Sequence, residues 1–179
     1  LRNPVGFVWD RRSGDMWATD NGRDWLGDDL PPDELNLIRE GAHYGWPHCY
    51  GGGVPAPELG RKGFCRKTEP AAFEFQAYSA PLGLTFYTGS QFPAQYRGDL
   101  FVAFHGSWNR SAPTGYKVVR VRMKKGRPVG IEDFATGWLV GRRSRGRPVD
   151  VVVDSKGRLL VSDDSGGRIY IISYDRQNP

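Results

Sequence analysis

The chain has 179 residues, of which 24 are Gly, 13 are Pro and 23 are aromatic (6 Trp, 8 Tyr and 9 Phe). This density of turn-forming residues excludes a helix bundle, and the many large aromatic side chains exclude simple disorder. The net charge of +5 is too small to identify an acidic partner, and no apolar run approaches the ~20 residues that span a bilayer. We therefore expect a soluble, loop-rich, mostly β chain.

Short runs of β-branched and aromatic residues, each bounded by turn residues, predict strands along the whole chain. In chain order the predicted strands cover residues 5–9, 16–19, 100–104, 117–123, 150–153, 159–162 and 168–173. A single helix is predicted over residues 33–40, because Pro31 and Pro32 precede it and Gly41 ends it.

A weak internal repeat connects three of these strands. Residues 14–21, 98–105 and 157–164 each read Gly, a polar residue, four mostly apolar or small residues, and a polar or loop-facing pair. Repeats of this kind are typical of propeller blades, although a chance likeness between β-hairpins is the alternative. At about 40–60 residues for each blade, the chain would supply roughly three blades, or half of a six-bladed ring.

The two cysteines, Cys49 and Cys65, lie 16 positions apart in a Gly- and Pro-rich segment. A disulfide is the favoured interpretation; it would contribute roughly 3 kcal/mol and indicate an oxidising compartment. A zinc site with His43 and His48 is the second alternative, but the spacing matches no common zinc motif. Free thiols are the third.

Basic residues concentrate in the segments 117–127 and 142–147. We interpret them as a solvated strand face and a solvated loop. Nucleic-acid binding would require basic residues interleaved with exposed aromatic ones along one face, and neither segment has that pattern. A nucleic-acid partner is therefore not predicted.

Several longer strings carry a resemblance to a known family. They are Leu1-Arg2-Asn3-Pro4, Thr19-Asp20-Asn21-Gly22-Arg23-Asp24, Asp33-Glu34-Leu35-Asn36, Tyr44-Gly45-Trp46-Pro47, Ser79-Ala80-Pro81-Leu82-Gly83 and Arg147-Pro148-Val149-Asp150. In this order and spacing, residues 1–179 resemble the carboxy-terminal half of the soluble glucose/sorbosone dehydrogenases, which are quinoproteins with a six-bladed β-propeller. The pairing of Asp-Glu-Leu-Asn with Tyr-Gly-Trp-Pro is the most specific part of the match.

The resemblance implies a cofactor and a reaction. Members of this family bind pyrroloquinoline quinone (PQQ) together with calcium, and they oxidise the anomeric hydroxyl of aldoses or the aldehyde of sorbosone. PQQ carries three carboxylates and an ortho-quinone, so its site needs fixed cations and amide donors. The resemblance assigns cofactor contacts to Arg2, Asn3, Asn21, Asp33 and Arg147.

The calcium ligands implied by the resemblance are the backbone carbonyls of Gly22 and Arg23, since calcium readily accepts carbonyl oxygens. Alternatives without any ligand exist for three of the assigned residues. Arg2 could be a surface cation at a chain end, Asn21-Gly22 an ordinary turn, and Asp33 a helix-starting charge.

The chain also departs from the family pattern. Val149 stands where the family has a second arginine, and Arg145 is a possible substitute. Looser matches place Tyr78 or Ser79 where the family has His or Thr, and residues 105–110 where it has another cation.

The general base of the family is a histidine from the amino-terminal half, and none of His43, His48 and His105 occupies its position. We read His43 and His48 as structural. The chain begins at Leu1 without an initiator Met or a signal peptide, so we expect its true start to be missing. No catalytic residue is predicted here, and the isolated chain is expected to be inactive.

The predicted function is thus sugar oxidation by a periplasmic or extracellular quinoprotein with an unidentified electron acceptor. The main alternative is a non-catalytic propeller that binds a sugar or a protein partner, which Val149 supports.

Overall fold

The computed structural model describes residues 1–175, and nearly all of its regular elements are strands joined by loops and turns. The strands are β1 (Pro4–Trp9), β2 (Met16–Asp20), β3 (Asp33–Ile38), β4 (Cys49–Tyr50), β5 (Val54–Pro55), β6 (Phe73–Phe75), β7 (Pro81–Phe86), β8 (Leu100–Phe104), β9 (Lys117–Lys124), β10 (Arg127–Ala135), β11 (Leu139–Val140), β12 (Arg143–Ser144), β13 (Pro148–Val153), β14 (Leu159–Asp163) and β15 (Arg168–Ile172). Single turns of 3₁₀ helix occur at Cys65–Lys67 and Ala94–Tyr96. The prediction of an all-β chain is confirmed.

The chain divides into two compact units. Unit 1 comprises residues 1–81 and 106–115, and unit 2 comprises residues 82–105 and the chain from residue 116 onward. Within residues 1–175, no helix is long and apolar enough to cross a membrane.

Unit 1 is built on an antiparallel sheet with the strand order β1-β2-β3-β6, beside which β4 and β5 form a small hairpin. Trp17, Leu35 and Phe75, one from each of three neighbouring strands, are buried in its core. The β4 residue Cys49 forms a disulfide with Cys65, which confirms the favoured pairing and consumes both thiols.

The helix predicted over residues 33–40 is wrong, because residues 33–38 form strand β3. This strand pairs with β2 from Met16↔Ile38 to Asp20↔Glu34 and also with β6, so it is an interior strand of the sheet. A helix of eight residues is marginal in isolation, whereas pairing on both edges satisfies the backbone of this segment and buries its side chains. Pro31, Pro32 and Gly41 therefore bound a strand.

Unit 2 contains a sheet with the order β10-β9-β8-β7, a second sheet with the order β13-β14-β15, and the hairpin β11-β12. A core rich in aromatic and branched side chains holds these elements together. Its buried members are Tyr87, Phe92, Phe101, Tyr116, Val118, Trp138, Val151, Leu159 and Val161.

Part of the basic segment 117–127 is not the solvated strand face that we expected. Arg120 is buried, its guanidinium donates to Asp99 and Glu132, and it stacks 4.1 Å from the ring centroid of Tyr96. The prediction is wrong at this residue because two carboxylates and an aromatic face compensate the cost of removing the charge from water.

Each copy of the internal repeat contains an interior strand of one of the three larger sheets. Its three copies contain β2, β8 and β14, and each of these strands lies between two neighbouring strands of its sheet. The arrangement of these sheets as blades of a six-bladed ring stays a prediction.

Candidate functional site

A cleft in unit 1 lies where the start of β1, the end of β2 and the start of β3 meet two loops. We call it the Arg2 cleft. It is lined by Arg2, Asn3, Asn21, Gly22, Asp24, Asp33, Tyr78, Ala80, Gly106, Trp108 and Asn109. The structure therefore brings together every cofactor-contacting residue that was predicted in unit 1, along with Gly22.

Asp20, the last residue of β2, holds the start of the chain in place. Its carboxylate accepts the backbone N–H groups of Arg2 at 2.9 Å and Asn3 at 2.6 Å. Burial raises the pKa of Asp20, and these two N–H groups oppose the rise. The backbone N–H of Asn21 donates to the carbonyl of Asn3 at 3.1 Å, so both asparagines are fixed at the cleft.

The guanidinium group of Arg2 lies against the wall of the cleft. Its Nη1 donates to the carbonyl oxygens of Asn21 at 3.2 Å and Gly22 at 2.9 Å. Its Nη2 lies 3.8 Å from the Asp24 carboxylate, and its Cζ lies 5.8 Å from the ring centroid of Trp46. These partners set the orientation of a cation that is still partly exposed.

Asp33 is buried beneath the cleft and connects two of its loops. Oδ1 accepts the N–H of Gly22 at 2.9 Å, and Oδ2 accepts the N–H of Ala80 at 2.9 Å. Burial raises the pKa of the Asp33 carboxyl to about 7, although the backbone donors oppose this rise. Because Asp33 begins a strand, its alternative role as a helix-starting charge is excluded.

Gly22 has no room for a side chain. A Cβ atom there would lie 2.7 Å from Cγ of Pro31 and 2.9 Å from the carbonyl oxygen of Pro32. The next residue, Arg23, directs its side chain to an ion pair with Glu58. No cluster of three or more His, Cys, Asp or Glu side chains within residues 1–175 is arranged for a metal, so a calcium site here would depend on carbonyl oxygens.

The fifth predicted cofactor residue, Arg147, belongs to unit 2 and begins the approach to β13. Its backbone N–H donates to Asp163 at 2.8 Å, and its Nε donates to the carbonyl of His105 at 3.1 Å. Its guanidinium carbon lies 5.2 Å from the ring centroid of Tyr116. Within unit 2, Arg147 is therefore a fixed cation.

Arg145 and Asp150 lie close in sequence to Val149, the residue that stands where the family has a second arginine. Arg145 is exposed, and its backbone N–H donates to Trp138 at 2.7 Å. Asp150 packs closely against Gly83, where a Cβ atom would lie 1.9 Å from the Asp150 carboxylate. The structure thus explains a glycine at position 83 by its packing.

The three histidines are engaged elsewhere. Nδ1 of His43 accepts the N–H of Gly45, and His48 contacts the carbonyl of Leu59, both near the disulfide loop. In unit 2, Nε2 of His105 lies 3.0 Å from the Asp164 carboxylate.

Sequence reasoning missed two aromatic residues at the cleft. Trp108 lines the cleft, and its ring centroid lies 5.1 Å from that of Trp25, with an angle of 85° between the planes. Both indoles are largely exposed, at 63% and 73%. Asp20 was also missed as an anchor, although it occupies the same place in its repeat as Asp163.

Several known proteins are similar to this chain in sequence or in structure. A protein-family model, TrAA12-like, matches residues 55–175. An uncharacterized protein of Borreliella burgdorferi is 39% identical over 186 residues, which cover 98% of this chain and 48% of that protein. A pyrroloquinoline quinone-dependent pyranose dehydrogenase of Coprinopsis cinerea is 32% identical over 115 residues, covering 53% of this chain and 15% of that protein.

A similar solved structure is the calcium structure of a Trichoderma reesei protein of Carbohydrate-Active Enzymes Family AA12. It has a TM-score of 0.77 and 25% identity, and the match covers 96% of this chain and 51% of that one. The Borreliella and Trichoderma matches extend along nearly all of this chain, and in both the chain spans about half the length of the other protein. The resemblance to quinone-dependent sugar dehydrogenases is confirmed at the level of the family. The chain belongs to the TrAA12-like family.

Proposed function

We propose that this protein takes part in the PQQ-dependent oxidation of an aldose or pyranose sugar, or of a sorbosone-type aldehyde, and that the Arg2 cleft forms part of its cofactor site. The observation that carries the proposal is the convergence of Arg2, Asn3, Asn21 and Asp33 on one cleft. These residues come from three separate strand ends, so their meeting is a property of the fold.

The residues present fit such a cofactor. An anion with several carboxylates requires a cation whose direction is fixed, and Arg2 is held by two carbonyls at the cleft wall. Amide groups of Asn3 and Asn21 add neutral hydrogen-bonding capacity beside it. PQQ, when bound, supplies a quinone that accepts hydride; the chain's own residues would bind and orient it. We assign Arg147 the role of a second cation.

For calcium we propose the backbone carbonyls of Gly22 and Arg23 as ligands. The narrow packing around Gly22 supports this, because a chain segment without a Cβ can present its carbonyls closely to an ion. In the structure described here the Gly22 oxygen accepts a hydrogen bond from Arg2.

The proton acceptor is proposed to come from outside this chain, in a part of the protein that completes the propeller. His43 and His48 lie at the disulfide loop, and His105 faces a carboxylate, which supports structural roles for all three. The disulfide supports a periplasmic or extracellular location.

Quinone binding tests this proposal directly. We expect Arg2→Ala to weaken PQQ binding to the chain, measured by fluorescence titration in calcium-containing buffer, by about tenfold or more, as for loss of a charge-assisted bond. Arg11→Ala, which changes an exposed arginine in the β1–β2 turn, is the matched control. Equal affinities in the two variants would remove Arg2 from the cofactor site.

A further inference from the structure

The paired indoles of Trp25 and Trp108 form an unusual surface at the Arg2 cleft. Their planes meet at 85°, so they enclose an apolar corner instead of burying each other in a flat stack. With exposures of 73% and 63%, both rings keep most of their area in water. Large aromatic surfaces left exposed at the mouth of a cleft are typical of ligand sites.

The corner is held in place by the loops on which it stands. Asn109 donates to Asp24 at 3.3 Å, and the Arg110 side chain donates to the Asp28 carbonyl at 3.0 Å. Arg110 also pairs with Asp29, and Ser111 donates its N–H to Asp28 at 2.9 Å. These bonds join the segment after Trp108 to residues on both sides of Trp25, so the two indoles are fixed together.

The backbone conformation of Trp25 also indicates that the fold fixes its position. Trp25 has a φ of 71°, in the left-handed region that residues other than glycine rarely adopt. Such a conformation is strained for a bulky side chain, and it persists where the surroundings impose it, most often at functional positions. The fold therefore accepts strain to hold an exposed indole beside Trp108.

The side chains of this corner suit a particular class of ligand. A pyranose with equatorial substituents has a flat face of C–H groups that packs on an indole, while its hydroxyl rim needs hydrogen-bonding partners. Asp24 lines the cleft next to Trp108, and its side chain, which is 30% exposed, offers a carboxylate. We propose that Trp25 and Trp108 form a pyranose-binding subsite, which extends the substrate class to oligosaccharides of such sugars.

This inference rests on the proposed function, because it deepens the substrate class of the same cleft. It is tested without the quinone, by calorimetric titration of the full chain with cellotetraose and with glucose. We expect cellotetraose to bind at least about tenfold more tightly than glucose, and Trp108→Ala to weaken cellotetraose binding about five- to tenfold. Trp25→Ala is expected to act in the same direction.

The matched control is Trp9→Ala. Trp9 is also an exposed indole, at 53%, and also packs edge to face, against Phe7, but it lies on β1 outside the cleft. A change below about twofold is expected there, and circular dichroism checks that all variants are folded.

Three results would overturn the subsite. The first is equal affinity for glucose and cellotetraose, and the second is no effect of Trp108→Ala on cellotetraose binding. The third is a dimer, seen by sedimentation, that Trp108→Ala abolishes, since the corner would then be a contact between copies of the chain. None of these results affects the quinone titration of Arg2→Ala, so failure of the subsite and failure of the proposed function are separable.

Discussion

At the scale of single residues, the most unusual group of the site is the Asp33 carboxyl. It is 2% exposed, and its two oxygens accept backbone N–H groups from separate loops. Burial disfavours the charged form, while the donors favour it, and the pKa of about 7 shows that burial prevails. At neutral pH the carboxyl is thus close to the midpoint of its titration.

This pKa predicts a pH dependence of stability. Because the folded state holds the Asp33 proton more tightly than the unfolded state, the contribution of that proton is complete below about pH 4 and is lost as the pH rises through about 7. We expect Asp33→Asn to flatten the fall in the free energy of unfolding between pH 4 and 7, measured by urea titration. The effect is roughly 2–4 kcal/mol.

Asp29→Asn is the control for this experiment, since the Asp29 side chain is 85% exposed. Its pH profile should match that of the parent. Parallel profiles for the parent and Asp33→Asn would contradict a raised pKa at Asp33. Asp20 and Glu34 also have pKa values raised by burial, so some slope remains in every variant.

At the scale of elements, the two units use the same device to begin a sheet. In unit 1, Pro4 pairs with Asp20, whose carboxylate holds the N–H groups just before β1. In unit 2, Pro148 pairs with Asp163, whose carboxylate holds the N–H of Arg147. In both cases the aspartate ends the second strand and fixes an arginine at the start of the first.

The device predicts the effect of removing Asp163. Burial pushes the pKa of this carboxyl up, but the N–H groups of Arg147 and Gly166 outweigh it, so the pKa lies below its ordinary value. Asp163→Ala would leave three donors without their acceptor, including the Tyr170 hydroxyl. We expect a loss of about 1–3 kcal/mol in stability and faster hydrogen exchange at the Arg147 amide.

The neighbouring Asp164 is the control, because its side chain is 60% exposed. Asp164→Ala should leave exchange at the Arg147 amide unchanged. If Asp163→Ala also left it unchanged, the carboxylate would not be the anchor of β13.

The strands differ in how well the sequence alone predicts them. The strands that begin after a Gly turn, β2, β8 and β14, are predictable because their pattern is local. Strand β3 is not, since Pro and Gly at its ends also suit a helix, and only pairing with β2 and β6 decides between them. The short strands β4, β5, β11 and β12 are missed because two residues carry no periodicity.

The site residues also divide into those that the sequence predicts and those that it does not. Residue types in family-like strings predict Arg2, Asn3, Asn21 and Asp33, and the structure places all of them at one cleft. Trp25 and Trp108 are separated by more than eighty positions in the sequence, and no local pattern predicts that their side chains meet. Arg120 is missed for a similar reason, since its partner Asp99 lies on a different segment.

At the scale of the whole molecule, the chain spans about half the length of its relatives and shows apolar edge strands. In unit 1 the edge strand β1 exposes Val5, Phe7 and Trp9, and in unit 2 the edge strand β15 exposes Ile169 and Ile171. Apolar edges of this kind are typical of surfaces that neighbouring polypeptide covers. They support the proposal that further sheets complete the domain.

The proposal predicts binding without turnover. We expect this chain to bind PQQ with calcium yet to leave a redox dye oxidised when an aldose is added, because the proposed proton acceptor lies outside it. A protein extended to the length of the relatives should reduce the dye. Dye reduction by the chain alone would contradict the assignment of the base, and inactivity of the extended protein across aldoses, sorbosone and cellotetraose would favour the non-catalytic alternative.

The contact between Arg2 and the Gly22 carbonyl has a consequence for how ligands compete. The Arg2 guanidinium already donates to this oxygen. If a divalent ion binds the same oxygen, as proposed, the guanidinium would repel it, and an anion that draws the guanidinium away would reduce that repulsion. Anion and metal would then favour each other through one side chain, which is positive thermodynamic coupling between two ligands that need not touch.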